Sequence, residues 1–477
     1  GSVYIYGKSR QTSRALLEVL NTGSFYSSGG DLYLVDGVAT GVSTVFGELD
    51  LEPATYSVTG GTIHLGTSDT DPTTNFFNLY LGGPIWSLAV NGETNPKVAF
   101  LRTFPATING NLTIGTASGA ASYFNTAGLN VNIGGNFANY STSATNGYVY
   151  NNTTQVTRFF GVAATQNVIS SGSILTRFGT VEIDNSQSSG RVVFSGSVYF
   201  RLYGDLKILN GTLATDNQYI QLLANVTNNS IHESVGTGYL YFSTATNQYI
   251  SGTDNAVFGK IRIATNKAVI TYTSFKINTN LTLEANAKLS IGDKLLTFGS
   301  SATLTGITPT AFVVCNGALS DLGVRREYTA AGGSFIFPIG VGSEGGKYTP
   351  AAINVTNTGG ASGTITVKPV DAPHPMRTNT IDDELQYFWS VSSTGFGATP
   401  IVTHTYTYSD LDILGTEATY VNARLYNFTW TKQTEVVDFA GNQIKFTDVN
   451  YINGDYTAGE VTNWGTVHKY YSAGTGN

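Results

Sequence analysis

The sequence predicts an all-β chain. A right-handed parallel β-helix covers residues 1–315 and a β-sandwich covers 316–462. Residues 463–477 read as the start of a further module or a linker. Three observations carry this. Short strands with alternating apolar residues recur behind a Phe-Gly pair. No strand run is flanked by a convincing amphipathic helix. The texture changes near Asp321, where proline becomes frequent.

The recurring strand is clearest at Phe258-Gly259-Lys260-Ile261-Arg262-Ile263. It appears again at Phe46-Gly47-Glu48-Leu49-Asp50-Leu51 and Phe178-Gly179-Thr180-Val181-Glu182-Ile183, and more loosely at Phe76–Leu81. Alternation turns one set of side chains to each face of a strand. Copies with recurring flanks make a repeat, and a repeat of short strands means stacked coils. Val168-Ile169-Ser170-Ser171-Gly172 and Tyr249-Ile250-Ser251-Gly252 precede two of the copies. Downstream, Arg191–Phe194 corresponds to Ala268–Thr271, and Gly204–Ile208 to Thr279–Leu283, with Gly110–Ile114 as an earlier relative. The unit so defined is about 75–100 residues long. Asn111, Asp205 and Asn280 occupy matching places in it. Stacked side chains at solenoid turns are the favoured reading for them, over ligand binding.

In order, early coils fall at Ala15–Leu20, Asp31–Val35, Tyr56–Val58 and Thr62–Leu65, with a polar loop at 68–75. Coils then run, with small-residue loops at 115–121 and 139–147, to about Leu304. Beyond Asp321, longer alternating strands follow at Thr364–Val367, Leu385–Val391, Ile401–Tyr408 and Val436–Phe439, the pattern of a sandwich.

Composition agrees. Charged residues are only 12% of the 477, while Tyr (28) and Phe (25) are abundant and suit a pleated, half-buried surface. A net charge of −7 gives no reason to expect nucleic-acid binding. No apolar run approaches the length of a membrane span. The single cysteine, Cys315, reads as a buried small hydrophobe. The chain opens Gly1-Ser2-Val3-Tyr4 without a leader and reads as a mature product or excised piece.

The stretches Arg326–Pro350, Gln386–Val391, Tyr406–Asp410, Ala423-Arg424 with Trp430, and Asp455–Glu460 together resemble a β-sandwich module of secreted Bacteroidota proteins. In that family the module follows solenoid repeats. The resemblance covers residues 320–462 and, more loosely, the repeats of 1–310. It implies a large adhesin-like chain on the cell surface of a Gram-negative bacterium, exported by the type IX secretion system. The sorting domain which that system recognises is not in this sequence and would have to lie beyond Asn477. Residues 466–477 look like the opening of another module.

Polysaccharide lyases and hydrolases also use β-helices, and their sites converge carboxylates on one face. The nearest approaches here are Glu182, Asp184 and Asp205, and then Asp31, Asp36 and Asp50. Glu182 sits at an outward position whose repeat equivalent is Arg262, so a solvated polar face is the preferred reading. Asp382-Asp383-Glu384 and the pair Asp410 and Asp412 read as polar turns before metal sites. The histidines at 64, 232, 374, 404 and 468 form no short-spaced ligand pair. Trp86, Tyr123, Tyr140, Tyr148 and Tyr150 lie in or beside loops and could stack on sugar rings.

No catalytic, metal or cofactor residue is assigned. The expected function is a non-enzymatic cell-surface adhesin or stalk. Its expected partners are surface glycans or other cells, the other modules of the same chain, and the secretion machinery during export. A carbohydrate-active β-helix enzyme is the alternative, and a filament or surface-layer subunit a third reading.

Overall fold

The computed structural model describes residues 1–7, 15–38, 48–116, 119, 121–143, 147–173, 175–342, 346–378 and 383–465, with backbone only at 434–436. It is all-β, 55% strand and 2% helix, with a parallel β-solenoid of about 11 turns and a later antiparallel region. The chain forms two compact units, 1–262 and 263–477.

In the first unit each coil lays a strand on each of three parallel ladders. One face stacks Ala106–Ile108, Val131–Ile133, Val156–Phe159, Thr180–Asp184, Leu206–Asn210, Val226–Asn228 and Gln248–Gly252. A second face includes Leu112–Ile114, Phe137–Asn139, Thr165–Ser170, Arg191–Gly196, Thr212–Asp216 and Ile231–Val235. A third begins at Leu17–Val19, Leu49–Leu51, Phe76–Leu81, Val98–Arg102, Tyr123–Asn125 and Tyr148–Val149. It resumes at Thr176–Phe178, Phe200–Leu202, Tyr219–Leu222 and Tyr239–Phe242. Register partners lie 25 residues apart at Glu182 and Lys207, and 20 apart at Arg201 and Gln221. The physical repeat is therefore one coil. The 75–100-residue unit read from the sequence spans several.

The Phe-Gly pair proves to be a corner. Phe178 closes a third-face strand and Thr180 opens the next first-face strand. Phe178, Val181 and Ile183 are all fully buried. Strict alternation would have put Phe178 opposite the other two, and the bend at Gly179 restores them to one interior. A Cβ at Gly179 would stand 2.6 Å from the Gln155 carbonyl oxygen and 2.7 Å from that of Asn152, so the coil below leaves no room for one. Gly259 is as tight, 2.5 Å from the Ser234 nitrogen. It turns a different corner, however. Val257 pairs with Ile231 of the second face, while Arg262 lies over Tyr239 and Tyr241 of the third. The equivalence of Glu182 and Arg262 is thus corrected, because the same corner chemistry serves two different corners. Phe46-Gly47 lies outside the described residues. In the looser copy Phe77, Leu79 and Leu81 are buried, and Phe76 lies outside, stacked on Phe100 at 5.8 Å.

Corner backbones are satisfied by side chains. Asn111 Oδ1 accepts from the Asn136 N–H at 2.7 Å, and Asn136 Oδ1 from that of Asn167 at 2.8 Å. At another corner Asp205 Oδ1 accepts from Asn225 N–H at 3.1 Å, and Asn225 Oδ1 from Tyr249 N–H at 3.0 Å. The stacked reading holds for Asn111 and Asp205, though on two ladders. Asn280 departs from it: its amide donates to the Thr303 carbonyl at 3.2 Å and Thr305 Oγ1 at 3.1 Å. Inside, Gln166 and Gln248 each donate one amide to two carbonyls of the preceding coil, Ile133 with Gly135 and Leu222 with Ala224. These glutamines have no counterpart in the sequence reading.

In the second unit, Ala268–Thr271, Lys288–Gly292, Phe312–Cys315 and Ile339–Val341 continue as a parallel ladder. Gly323–Tyr328 pairs parallel with Leu295–Phe298 on one side and antiparallel with Gly363–Val370 on the other, so it joins coil to sandwich. From there one antiparallel sheet continues through Phe388–Thr394, Gly454–Glu460, Tyr420–Tyr426 and Thr429–Val436. The other holds Gly333–Phe337, Ala351–Asn357, Ile401–Thr407 and Gln443–Val449. Trp389 of one sheet meets Tyr406 of the other at 5.0 Å, and Tyr456 meets Phe446 at 5.0 Å, which is the sandwich core. The strand expected at Val436–Phe439 is displaced. It runs Thr429–Val436, because Asp438 and Gln443 pair across a tight turn that ends it. Cys315 is buried in the parallel ladder.

Candidate functional site

Most of the carboxylates singled out in the sequence are held by neighbours, and Asp50 is the exception. On the first face Arg158, Glu182 and Lys207 stand in register. Lys207 Nζ reaches Glu182 at 3.1 Å, and Arg158 Nε reaches Asp184 at 3.0 Å. Burial pushes the Asp184 carboxyl up, but hydrogen bonds from Asn210 and Arg158 outweigh it and hold it below the ordinary range. Asp205 belongs to its corner ladder. Opposite charges across adjacent coils stabilise a ladder, so this set is explained as structure.

Asp31, Asp36 and Asp50 do not converge. Asp31 pairs with His64 at 3.1 Å, and Asp36 accepts from the Gly7 and Asp71 N–H groups. Asp50 instead stands in register with Glu18 and Tyr80 on the third face. It is 5% exposed, and its Oδ1 has no hydrogen-bond partner. Burial, then the charges of Glu52 and Glu18, hold its carboxyl up at about 6. Glu18 and Asp50 lie about a coil apart in sequence, a signal that was present and missed.

Asp382 lies outside the described residues. Glu384 is fully buried and paired with Arg377. Asp412 is buried on Lys347 at 2.6 Å, and Asp410 Oδ1 accepts from Asn442 at 2.6 Å. Among the described residues no group of three His, Cys, Asp or Glu side chains is placed to hold a metal ion. His232 and His404 are core residues, His374 is buried against Asp455, and His468 lies outside the described residues.

The aromatics separate cleanly. Tyr148 is interior, its hydroxyl 2.8 Å from Thr157 Oγ1. Trp86, Tyr123 and Tyr140 are half-buried and scattered. Tyr150 is different, for it stacks on Tyr203 at 5.3 Å on the outside of the third face. There the outward positions of consecutive coils line up. Tyr199, Tyr219 and Tyr239 stack in turn at 4.4 and 5.1 Å, with Tyr241 edge-on to Tyr219 at 6.0 Å. Beside this row Arg177, Arg201, Gln221 and Tyr241 occupy successive register positions. Arg201 donates to Gln221 Oε1 at 2.6 Å, Tyr203 Oη at 3.3 Å and Tyr199 Oη at 3.2 Å. Among the described residues it meets no carboxylate. Arg177 makes no hydrogen bond or ion pair among them, and its Nε is buried without a partner. The result is a strip of half-buried tyrosines carrying two uncompensated guanidiniums. The tyrosine faces are taken up by one another along the row, so the strip offers outward ring edges, hydroxyls and guanidinium donors, which can contact sugar C–H groups and hydrogen-bond to oxygens.

Compared with family models, with curated proteins and with solved structures, the chain finds no match. Among the described residues no helix is long and apolar enough to cross a membrane.

Proposed function

We propose that this chain is a non-enzymatic binding segment of a cell-surface adhesin or stalk, part of a larger secreted bacterial protein. The observation that carries the reading is the Tyr199–Tyr219–Tyr239 stack with its neighbours. It is a continuous binding-type surface on the outside of a repetitive scaffold, repeated coil by coil. The outward carboxylates of the first face, by contrast, are engaged in ion pairs. The sandwich resemblance supports placement at a Gram-negative cell surface. The labelled chain should be retained on polysaccharide-coated surfaces without releasing any sugar fragment. Absence of retention on every surface tried would remove the reading.

A second reading, a carbohydrate-active enzyme, is favoured by one observation. A carboxyl raised to about 6 beside another carboxylate is what an acid–base pair uses, and Asp50 beside Glu18 fits that description. The substitution Asp50→Asn separates the two. On the adhesin reading it leaves surface retention unchanged. It also raises the unfolding midpoint at pH 7, because the protein no longer keeps a charge where burial and Glu52 disfavour it. On the enzyme reading the parent releases fragments and Asp50→Asn abolishes that release.

A further inference from the structure

Arg177 and Arg201 pose a problem for the fold. They face each other directly in a parallel ladder, with backbones at the usual strand spacing of about 4.8 Å. Like charges so placed repel and destabilise a sheet. The first face solves the same problem with alternating signs, as Arg158, Glu182 and Lys207 show. Here no carboxylate intervenes among the described residues. The hydroxyls of Tyr199 and Tyr203 cover Arg201, and Tyr150 leans on Tyr203 above the pair. Burial and then Tyr203 raise the Tyr150 phenol, while both arginines pull it down, so its hydroxyl lies in the field of both. The outward strand positions on this part of the face, Arg177, Arg201, Tyr219, Gln221, Tyr239, Tyr241, hold no acidic side chain.

We propose that this strip binds an acidic polysaccharide along the solenoid axis. A carboxylate or sulfate of the glycan is taken by Arg177 and Arg201, and its sugar rings lie along the ring edges and hydroxyls of the Tyr199–Tyr219–Tyr239 row. The proposal rests on the surface-binding reading above and adds the ligand class. An anion between the two guanidiniums removes their repulsion and engages the unused donors of Arg177, which fits a charge-assisted, forked contact. The tyrosine row spans three coils, about 10 Å at the usual strand spacing, so it meets a polymer segment and not a single sugar. A nucleic acid is the less fitting occupant, since the chain is net acidic at −7 and the cationic stretch is short.

The test is calorimetric titration of the full chain with three oligosaccharides of equal length: an oligouronate, a sulfated one and a neutral one. Either acidic probe should bind at least about tenfold more tightly than the neutral one, with affinity falling as salt rises. The preferred probe identifies the anionic group. The Arg177→Gln, Arg201→Gln double variant should lose about 10- to 100-fold for that probe, at the scale of lost charged hydrogen bonds. Tyr219→Ala should weaken all probes alike. Relief of repulsion should leave Arg177→Gln alone at least as heat-stable as the parent, which also shows that the variant folds. Neutral and acidic probes bound alike, or a double variant that binds unchanged, would overturn the ligand class and leave surface retention standing. The same holds if a fall in melting temperature marks Arg177 as a structural brace. Failure to bind either acidic probe, or tighter binding of a DNA oligonucleotide, also overturns it. Loss of retention on every surface would instead strike the underlying reading.

Discussion

Phe178→Ala should cost about 3–5 kcal/mol, the range for deleting a buried ring from a packed core. Phe178 is fully buried and lies within reach of five other rings: Phe137 at 5.5 Å, Tyr148 at 5.2 Å, Phe159 at 6.1 Å, Phe194 at 6.5 Å and Phe200 at 6.4 Å. These come from the coils on either side and from all three walls, so one truncation opens a cavity that several strands share. The site has little freedom to collapse. The corner that follows is pressed against the carbonyls of Gln155 and Asn152, and the ladders hold each wall at its spacing. The damage should nevertheless be local, because coils contact chiefly their neighbours. Hydrogen exchange should therefore rise in Val156–Phe159, Thr180–Asp184 and Phe200–Leu202, and hardly at Leu49–Leu51. Arg177→Ala, one residue away on the outer surface, should cost less than about 1 kcal/mol. Similar costs for the two substitutions would refute the assigned strand phase.

What could be read from the sequence followed the reach of each physical signal. Alternation is local, so the inward set Val181 and Ile183, Ile261 and Ile263, was legible without knowing the fold. The coil length was harder, because corners are built from few residue types and Phe-Gly serves more than one of them. Matching Phe178 to Phe258 therefore aligned two different corners and carried Glu182 onto Arg262. Register between coils decides which side chains meet. That needs the coil lengths, which vary irregularly along the unit: register partners lie 32 residues apart at Glu18 and Asp50, 20 apart at Arg201 and Gln221, and 24 apart at Val226 and Ile250. Asp50 was consequently grouped with Asp31 and Asp36 when its neighbours are Glu18 and Tyr80. The tyrosine strip was half legible: Tyr150 was singled out, whereas Tyr199, Tyr219 and Tyr239 were not, although they recur at a constant step of 20 residues. Tyr148, two positions from Tyr150, points to the opposite side of the wall.

Acid should weaken both units through one histidine each. His232 is fully buried. Its Nδ1 accepts from the Gly259 N–H at 3.3 Å, which leaves the proton on Nε2 to be shared with Thr215 Oγ1 at 3.1 Å. His404 in the sandwich core has its Nε2 3.2 Å from the Tyr451 carbonyl oxygen. That contact requires a proton there, so Nδ1 accepts from the Tyr406 hydroxyl at 3.0 Å. Both rings are thus held neutral with their acceptors filled, and protonation must break a hydrogen bond and charge a dry site. Burial lowers His232 to about 3. It also lowers His404, to about 4 once the Tyr451 bond and the charge of Arg424 are included. An unfolded histidine titrates near 6.5, so below that pH the unfolded chain takes up a proton that the folded one refuses. The stabilisation is complete above about 6.5 and falls by about 1.4 kcal/mol per pH unit for each histidine. The loss continues down to the folded value, about 4 for His404 and about 3 for His232. Asp50 works the other way below about 6, since its folded carboxyl takes a proton before its unfolded one. Asp321 and Asp412, raised by burial, do the same in the second unit. The decisive quantity is therefore the difference between parent and variant. His232→Gln should flatten the pH dependence of the first unit by one proton, and His404→Gln that of the second, whatever each costs at pH 7. Unfolding by denaturant between pH 7 and 5, followed by hydrogen exchange in each unit, reads this directly. Unchanged slopes would mean that the rings are already charged or reached by water in the folded protein.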